Sequence, residues 1–152
     1  MSAKYSLLKA AVAAAFAALL NGSLSAQPAV LPLDGFWDFR FEEGKALEKV
    51  AKPDFAATDR MTVPGCFDTM PAWLCRRGTG LYRRTFDLEA PVTNAFLVVD
   101  GMGLRGRFVV DGHDLGLVAL PYSRFELATG PLAAGRHTLF AALDNRFDWS
   151  TL

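Results

Sequence analysis

The residues with the clearest chemical potential stand near the end of the sequence, in the stretch ALDNRFDWSTL at 142–152. Asp144, Asn145 and Asp148 bring two carboxylates and an amide close together, and Trp149 follows them. Carboxylate and amide oxygens accept hydrogen bonds from sugar hydroxyls, and the amide nitrogen can donate back. These residue types predict a sugar-binding rim, although a charged loop that follows a strand has the same composition.

Hydrolysis of a glycoside would need a different arrangement, a pair of carboxyl groups that flank the scissile bond. The glutamates of the sequence are Glu42, Glu43, Glu48, Glu89 and Glu126. The pattern places them on wet strand faces, in loops or near a turn, so no two of them have a reason to be buried together. We therefore predict that this polypeptide by itself hydrolyses no glycoside.

Motifs for other kinds of catalysis are missing from the sequence. His113 falls in a hairpin turn and His137 in a strand, and neither stands beside Ser or Cys in a nucleophile elbow, which argues against a hydrolase triad. The glycines of GTG at 78–80 and GMG at 101–103 lack the spacing of a phosphate-binding loop. The stretch DNRFD at 144–148 lacks the spacing and the glycine of an EF-hand calcium loop. We expect no metal and no cofactor.

The sequence contains two cysteines, Cys66 and Cys75. Two are too few for a disulfide scaffold, and they lack the paired spacing of a zinc site. Export would permit a disulfide between them, which would close a loop of about ten residues. A bridge and two free thiols are both compatible with the sequence.

The first 26 residues have the layout of a secretory signal. Lys4 and Lys9 precede or border an apolar run, AAVAAAFAALL, which the small and polar NGSLSA follows. The run is too short to span a bilayer as a helix, which takes about 20 residues, and cleavage is expected after Ser25 or Ala26. We therefore predict an exported protein, periplasmic or extracellular, that does not interact with the membrane after cleavage.

Charge excludes a nucleic-acid partner. The chain has 16 basic and 16 acidic residues, and removal of 1–26 takes away two lysines and no acid. The mature chain is therefore slightly acidic and lacks the clustered basic excess that nucleic-acid binding requires. About 126 residues remain, which suits one domain with one core.

The elements that would position the candidate residues are strands, because apolar and polar residues alternate with a period of two from Leu31 onward. Four runs show the pattern: GFWDFRFEEG at 35–44, GLYRRTFDL at 80–88, LRGRFVV at 104–110 and RHTLFAAL at 136–143. Turn signals separate the runs, and the one helical segment predicted after the leader is short, at 45–52. The pattern predicts an all-β fold, an antiparallel sandwich or barrel.

The alternation also predicts which side chains are buried. Arg84 falls on an apolar face, so its guanidinium must find a carboxylate or carbonyl groups. The continuous apolar run AFLVVDG at 95–101 is typical of a strand covered on both sides. The predicted core between two sheets consists of Trp37, Phe39, Phe41, Tyr82, Phe86, Val98, Phe108, Val110, Leu139 and Leu143.

Five segments, taken in order, resemble one family. They are LDGFWDFRF at 33–41, VPGCFD at 63–68, GTGLYRRTF at 78–86, VVDGHDLG at 109–116 and LAAGRHTLFAALDNRFDW at 132–149. Together they are similar to the N-terminal sugar-binding domain of glycoside hydrolase family 2, the β-galactosidases, β-glucuronidases and β-mannosidases. The resemblance covers nearly all of the mature chain and implies a jelly-roll sandwich of the galactose-binding type.

The resemblance also implies an organisation. In the family, an immunoglobulin-like sandwich and a (β/α)8 barrel follow this domain, and the barrel carries the two catalytic glutamates. Family members continue past the DNRFDW position into a segment that finishes the jelly roll. We therefore expect residues 27–152 to be such a domain, incomplete at its C-terminus, from a fragment or truncated reading frame.

Two site residues follow from the resemblance. In β-galactosidases of the family, the loop before the GTGLYRRTF strand supplies an amide that reaches the active site, and Arg77 occupies that place here. The segment after ALDN supplies an acidic residue to the sugar hydroxyls, for which Asp148 is the nearest match. An arginine suits an acidic sugar as well as a neutral one, so a uronic acid is a candidate substrate.

Three functions follow from these observations. The leading hypothesis is a non-catalytic domain of an exported glycosidase, which helps to shape the sugar site of a barrel elsewhere in the parent protein. A second is a stand-alone exported carbohydrate-binding module, with Trp73 or Trp149 as a stacking platform. A third is a purely structural sandwich that contacts no sugar.

Overall fold

Eight β-strands, one short α-helix and one 3₁₀ turn form the regular structure of residues 29–147, the part of the chain that the computed structural model describes. The predicted leader at 1–26, Asp148 and Trp149 lie outside these residues. Residues 29–32 belong to a separate N-terminal unit and carry no helix or strand, and the unit from Leu33 onward holds every element below. The strands are β1 (Gly35–Glu43), β2 (Asp59–Val63), β3 (Gly78–Leu88), β4 (Val92–Val99), β5 (Arg105–Val110), β6 (His113–Val118), β7 (Phe125–Leu132) and β8 (Gly135–Asp144); the helix is α1 (Leu47–Val50) and the 3₁₀ turn is Phe67–Thr69.

The strands form two antiparallel sheets. The larger sheet has the order β2-β1-β3-β8-β5-β6, and the smaller pairs β4 with β7. Non-consecutive strands such as β3 and β8 are neighbours, as in a jelly roll. The predicted all-β sandwich of the jelly-roll type is thereby confirmed. In the described residues, no helix is long and apolar enough to cross a bilayer.

The main core lies between the two sheets. Trp37, Phe39 and Tyr82 are buried there, because alternation along β1 and β3 turns every second side chain inward. Phe39 has no exposed surface. Nine of the ten predicted core residues lie in this cluster, either buried or packed against it as partly buried side chains.

Val98 is the exception, and the expectation for its strand is wrong. The side chains of Phe96 and Val98 are 58% and 44% exposed, whereas Leu97 and Val99 pack against the core. The strand β4 belongs to the two-stranded sheet, and the described residues cover that sheet on one face only. An apolar run can therefore reflect one buried face and one exposed apolar face.

A second, smaller core covers the outer face of the large sheet. Leu47 of α1 and Phe55 pack there on Leu81, Val109 and Phe140. The strand β8 is consequently buried on both faces, with Leu139 and Ala141 toward the main core and Phe140 and Ala142 toward this second one. The predicted short helix near 45–52 is present, and it supplies the cover.

A two-residue turn joins β5 and β6. Val110 pairs with His113, and Asp111 and Gly112 between them have positive φ angles of 50° and 81°. Two positive φ angles define the type I′ hairpin turn, which Asp-Gly favours. The hairpin turn predicted at His113 is present, but it consists of Asp111 and Gly112, and His113 begins β6 directly after it.

Candidate functional site

The predicted site begins where β8 ends, and the first candidate, Asp144, is buried. Its side chain has no exposed surface and lies between two guanidinium groups. Arg105 Nη2 donates to Asp144 Oδ2 at 2.9 Å, and Arg146 Nη2 donates to the same oxygen at 2.7 Å. Burial alone would raise the pKa of Asp144, but the hydrogen bonds from Arg146 and Arg105 lower it below its usual value.

The burial of Asp144 changes how the residue can act. We expected it to offer oxygens from a loop, but it is the last residue of β8 and its carboxylate is already engaged by Arg105 and Arg146. Arg105 also donates to Glu48 of α1 at 3.1 Å, which ties the helix to the sheet. In this structure Asp144 orients two arginines, and a direct contact between Asp144 and a sugar stays a prediction.

Asn145 points to another set of partners. Its Oδ1 accepts from Gly78 N at 2.9 Å, and its Nδ2 donates to Asp68 Oδ2 at 3.1 Å and to Arg76 O at 3.0 Å. The backbone N–H of Asn145 also donates to Gly78 O at 3.2 Å. The amide thus joins the end of β8, the start of β3 and the loop between β2 and β3.

Arg77 lies beside this junction, with its backbone fixed and its head group exposed. The carbonyl of Arg77 accepts from Gly44 N at 2.8 Å, and its Nη1 lies 3.8 Å from Asp68 Oδ2. The side chain is 59% exposed. We call Asp68, Arg77 and Asn145 the Asn145 cluster; it brings together two of the four predicted binding residues.

Asp68 was not among the predicted site residues, although it closes the VPGCFD segment. Burial raises the pKa of Asp68, but hydrogen bonds from Cys66 and Asn145 outweigh burial and lower it. Cys66 Sγ donates to Asp68 Oδ1 at 3.2 Å. Burial and this bond raise the pKa of the Cys66 thiol. Asp68 is therefore a carboxylate that links the loop to Asn145 and Arg77.

The two cysteines are exposed free thiols. Of the two alternatives that the sequence left open, the structure has the thiols. Cys75 has a φ angle of 61°, and it lies in the same loop as Cys66. Among residues 29–147, no group of three or more His, Cys, Asp and Glu side chains is placed to hold a metal ion.

His137 has partners, but they form no catalytic triad in the described residues. Its Nδ1 lies 2.6 Å from Asp111 Oδ2 and its Nε2 lies 2.8 Å from Ala133 O. Both ring nitrogens face acceptors, so the protonated ring satisfies both. The hydrogen bond to Asp111, then that to Ala133, raises the pKa of His137. The hydrogen bonds of His137 therefore have a structural role, and they activate no nucleophile among the described residues.

Trp73, one of the two predicted stacking platforms, packs inward, and the other, Trp149, lies outside the described residues. Its ring lies 4.9 Å from that of Phe39 in an edge-to-face arrangement, and it is partly buried against the main core. A side chain used in this way offers only its remaining edge to a ligand. Of the two platforms predicted for the stand-alone module, Trp73 is therefore poorly placed, and the role of Trp149 stays a prediction.

The chain is similar to known proteins at the level of three-dimensional structure. No protein-family model matches the chain, and no curated protein matches it. A β-glucuronidase from Bifidobacterium dentium, solved with coumarin-3-O-glucuronide, is 29% identical with a TM-score of 0.63, over 82% of this chain and 21% of that chain. A family 2 β-galacturonidase from Eisenbergiella tayi is 24% identical with a TM-score of 0.59, over 75% and 18%. A β-glucuronidase from Ruminococcus gnavus is 19% identical with a TM-score of 0.66, over 76% and 21%.

The chain fits a domain of a family 2 glycoside hydrolase. It spans about a fifth of the length of the structures that it matches. The similarity therefore concerns one part of larger carbohydrate-processing enzymes, and it is consistent with a domain from such a protein. The activities in their titles belong to those proteins.

Proposed function

We propose that this chain is the N-terminal, non-catalytic sugar-binding domain of an exported family 2 glycosidase, and that it shapes the sugar site of a catalytic domain in the parent protein. The observation that supports the role is the Asn145 cluster. Three separate segments fix the backbone around Arg77 while its guanidinium stays exposed. A positioned arginine with an exposed head group suits recognition of a carboxylate.

The substrate class that we propose is a uronide. Two of the similar proteins are named as β-glucuronidases and one as a β-galacturonidase. The exposed guanidinium of Arg77 can pair with the carboxylate of such a sugar. A neutral sugar offers it no negative charge, so Asp68 would remain its one acidic neighbour among the described residues. Export rests on the signal pattern of residues 1–26, and the same pattern supports a periplasmic or extracellular site of action.

The absence of catalysis from this chain is part of the proposal. Glu42 is the buried glutamate of the described residues, and it is bound to Lys45 and Arg40. The hydrogen bond from Lys45 has the largest effect on the pKa of Glu42, and the pKa is lowered despite burial. A general acid for glycoside cleavage needs a raised pKa, so Glu42 is unsuited to that role.

The proposal is tested by kinetics on the longer polypeptide that carries these residues. Arg77→Ala should raise KM for a chromogenic glucuronide about tenfold, the loss of one charge-assisted hydrogen bond, and leave KM for a neutral galactoside little changed. Arg124→Ala, at an exposed arginine directly before β7, is the matched control. An unchanged KM for the glucuronide in the Arg77 variant would reject the role given to Arg77.

A further inference from the structure

A groove opens on the large sheet where β1 and β3 stop pairing. Pairing of the two strands runs from Glu43 opposite Gly78 to Asp38 opposite Arg83, and before Asp38 the strand β1 pairs with β2 alone. The groove at this separation has a volume of about 270 Å³. Its lining consists of Phe36, Asp38, Arg60, Arg83, Arg84 and Thr85.

Arg84 fills the gap in the strand ladder. Its Nη1 donates to Phe36 O at 3.0 Å, which supplies the hydrogen bond that a paired strand would have made. A Cβ at Gly35 would lie 3.2 Å from the same nitrogen, so the glycine leaves room for the guanidinium. The sequence predicted a carboxylate or carbonyl groups as the partner of Arg84, and the structure shows a carbonyl, that of Phe36. Its Nε is buried without a partner among the described residues.

The groove carries an excess of positive charge. Three of its six lining residues are arginines, and Asp38 is the one carboxylate among them. Arg83 already binds Asp38 at 2.8 Å and donates to Phe55 O at 3.1 Å. Asp38 stands opposite Arg60 in the strand register, but its ion pair is with Arg83. Arg60 and Arg84 form no ion pair among the described residues, so the groove has an excess of positive charge.

Phe36 provides an apolar face next to these cations. It alternates with the buried Trp37 and is 60% exposed on the outer face of the sheet. The guanidinium of Arg60 lies 5.4 Å from the centre of its ring. An exposed ring can pack on the C–H face of a sugar, and the Thr85 hydroxyl can both donate to and accept from a sugar hydroxyl.

We propose that this groove is a second saccharide site, which binds one pyranose that carries an anionic group. The carboxylate or sulfate ester lies against Arg60 and Arg84, and the sugar ring lies on Phe36. Arginine forks match such oxyanions in a bidentate manner. The volume is just below the range of about 300–1,000 Å³ of sites for larger ligands, so one sugar residue fits.

The groove is separate from the Asn145 cluster. Gly78 and Arg83 are five positions apart on β3, which corresponds to about 16 Å along an extended strand. The proposal therefore does not depend on the role given to Arg77. If the chain lies in a longer enzyme, the groove would hold an acidic glycan away from the cleavage site.

The test is a titration of the full chain, labelled with ¹⁵N and followed by NMR. Glucuronate and glucose 6-sulfate are the two acidic ligands, and glucose and inorganic sulfate are the controls. We expect saturable shifts at Phe36, Arg60 and Thr85 with either acidic sugar, and at least tenfold weaker binding of glucose. Whichever acidic sugar binds more tightly identifies the anionic group.

Variants decide whether the groove makes the contact. Arg60→Gln should weaken binding about tenfold, as the loss of a charge-assisted hydrogen bond does, and Phe36→Ala should weaken it as well. Arg124→Gln should change nothing. Inorganic sulfate that binds as tightly as the sugars would overturn the proposal, and so would the absence of saturable shifts. Shifts confined to the Asn145 cluster would also overturn it, while favouring the site of the proposed function.

Discussion

Asn145 and Asp68 are 77 positions apart in the sequence, yet Asn145 Nδ2 donates to Asp68 Oδ2 at 3.1 Å. The same amide accepts from Gly78 N and donates to Arg76 O. One side chain thus holds the loop between β2 and β3 against the end of β8. The position of the exposed Arg77 head group depends on this connection.

Replacing Asn145 should therefore loosen the loop. Asn145→Ala removes the acceptor of the Gly78 N–H and the hydrogen-bond donor to Asp68, which should cost about 2–3 kcal/mol. Asn145→Asp should cost at least as much, because it places a second carboxylate beside Asp68. Urea denaturation measures the free energy of unfolding, and Asn94→Ala, at an exposed amide of β4, is the control. Equal stability of Asn145→Ala and wild type would contradict the role of the cluster.

Asp144→Asn should destabilise the protein more than the loss of an exposed ion pair. The substitution leaves Arg105, only 13% exposed, without its buried carboxylate, and we expect a cost of about 3 kcal/mol. Asp114→Asn is the matched control, because the pair of Asp114 with Arg107 is half exposed and should contribute less than about 1 kcal/mol. Similar costs for both variants would show that burial does not strengthen the Asp144 network.

The Asp144 carboxylate should also make the free energy of unfolding decrease at acidic pH. The folded pKa of Asp144 lies below its unfolded value, so its contribution to stability is complete above about pH 4 and is lost as the pH falls through the folded pKa. Denaturation curves between pH 2 and 5, as an approximate range, should therefore be flatter for Asp144→Asn. If Asp144→Asn loses stability at acidic pH as steeply as the wild type does, other carboxylates cause that loss.

His137 should give the free energy of unfolding the opposite dependence on pH. Its pKa is raised by the hydrogen bonds to Asp111 and Ala133, so its contribution is complete below the unfolded pKa of about 6.5. The contribution is lost as the pH rises through the higher folded pKa. His137→Gln should remove this decline in the free energy of unfolding, and the exposed His113→Gln should retain it. A decline that persists in His137→Gln would contradict the assignment.

The buried Phe39 of β1 and the exposed Phe96 of β4 allow a direct test of which side chains form the core. Phe39→Ala should cost about 3–5 kcal/mol, because Phe39 has no exposed surface and packs on Trp73 and Tyr82. Phe96→Ala removes the same atoms from a ring that is 58% exposed and should cost less than about 1 kcal/mol. Comparable costs in thermal or urea denaturation would mean that a partner covers the outer face of β4.

Much of this fold could be predicted because strand alternation is a local property. Trp37 and Phe39 are two positions apart, so the side of the sheet that they share follows from the pattern alone. The failure at Val98 has a physical reason as well: an apolar strand does not reveal whether both of its faces are covered. That depends on how many layers pack on the sheet, which is a property of the whole chain.

The candidate site was predicted only in part, because its geometry depends on register between distant strands. Asp144 pairs in register with Arg105, and Thr79 faces it from β3. No local pattern specifies that register, so Arg105 was missed and Asp144 was expected to be accessible. Asp68 was missed for a similar reason, since only the folded loop brings it to Asn145.

The most direct test of the central claim is the identity of the polypeptide that carries these residues in the source cells. Antibodies against residues 33–147 should isolate, from the exported fraction, a polypeptide several times longer than 152 residues, with uronide hydrolase activity. The purified 152-residue chain should show no turnover of the same chromogenic uronide. Isolation of only a short polypeptide, or measurable turnover by the 152-residue chain, would contradict the account.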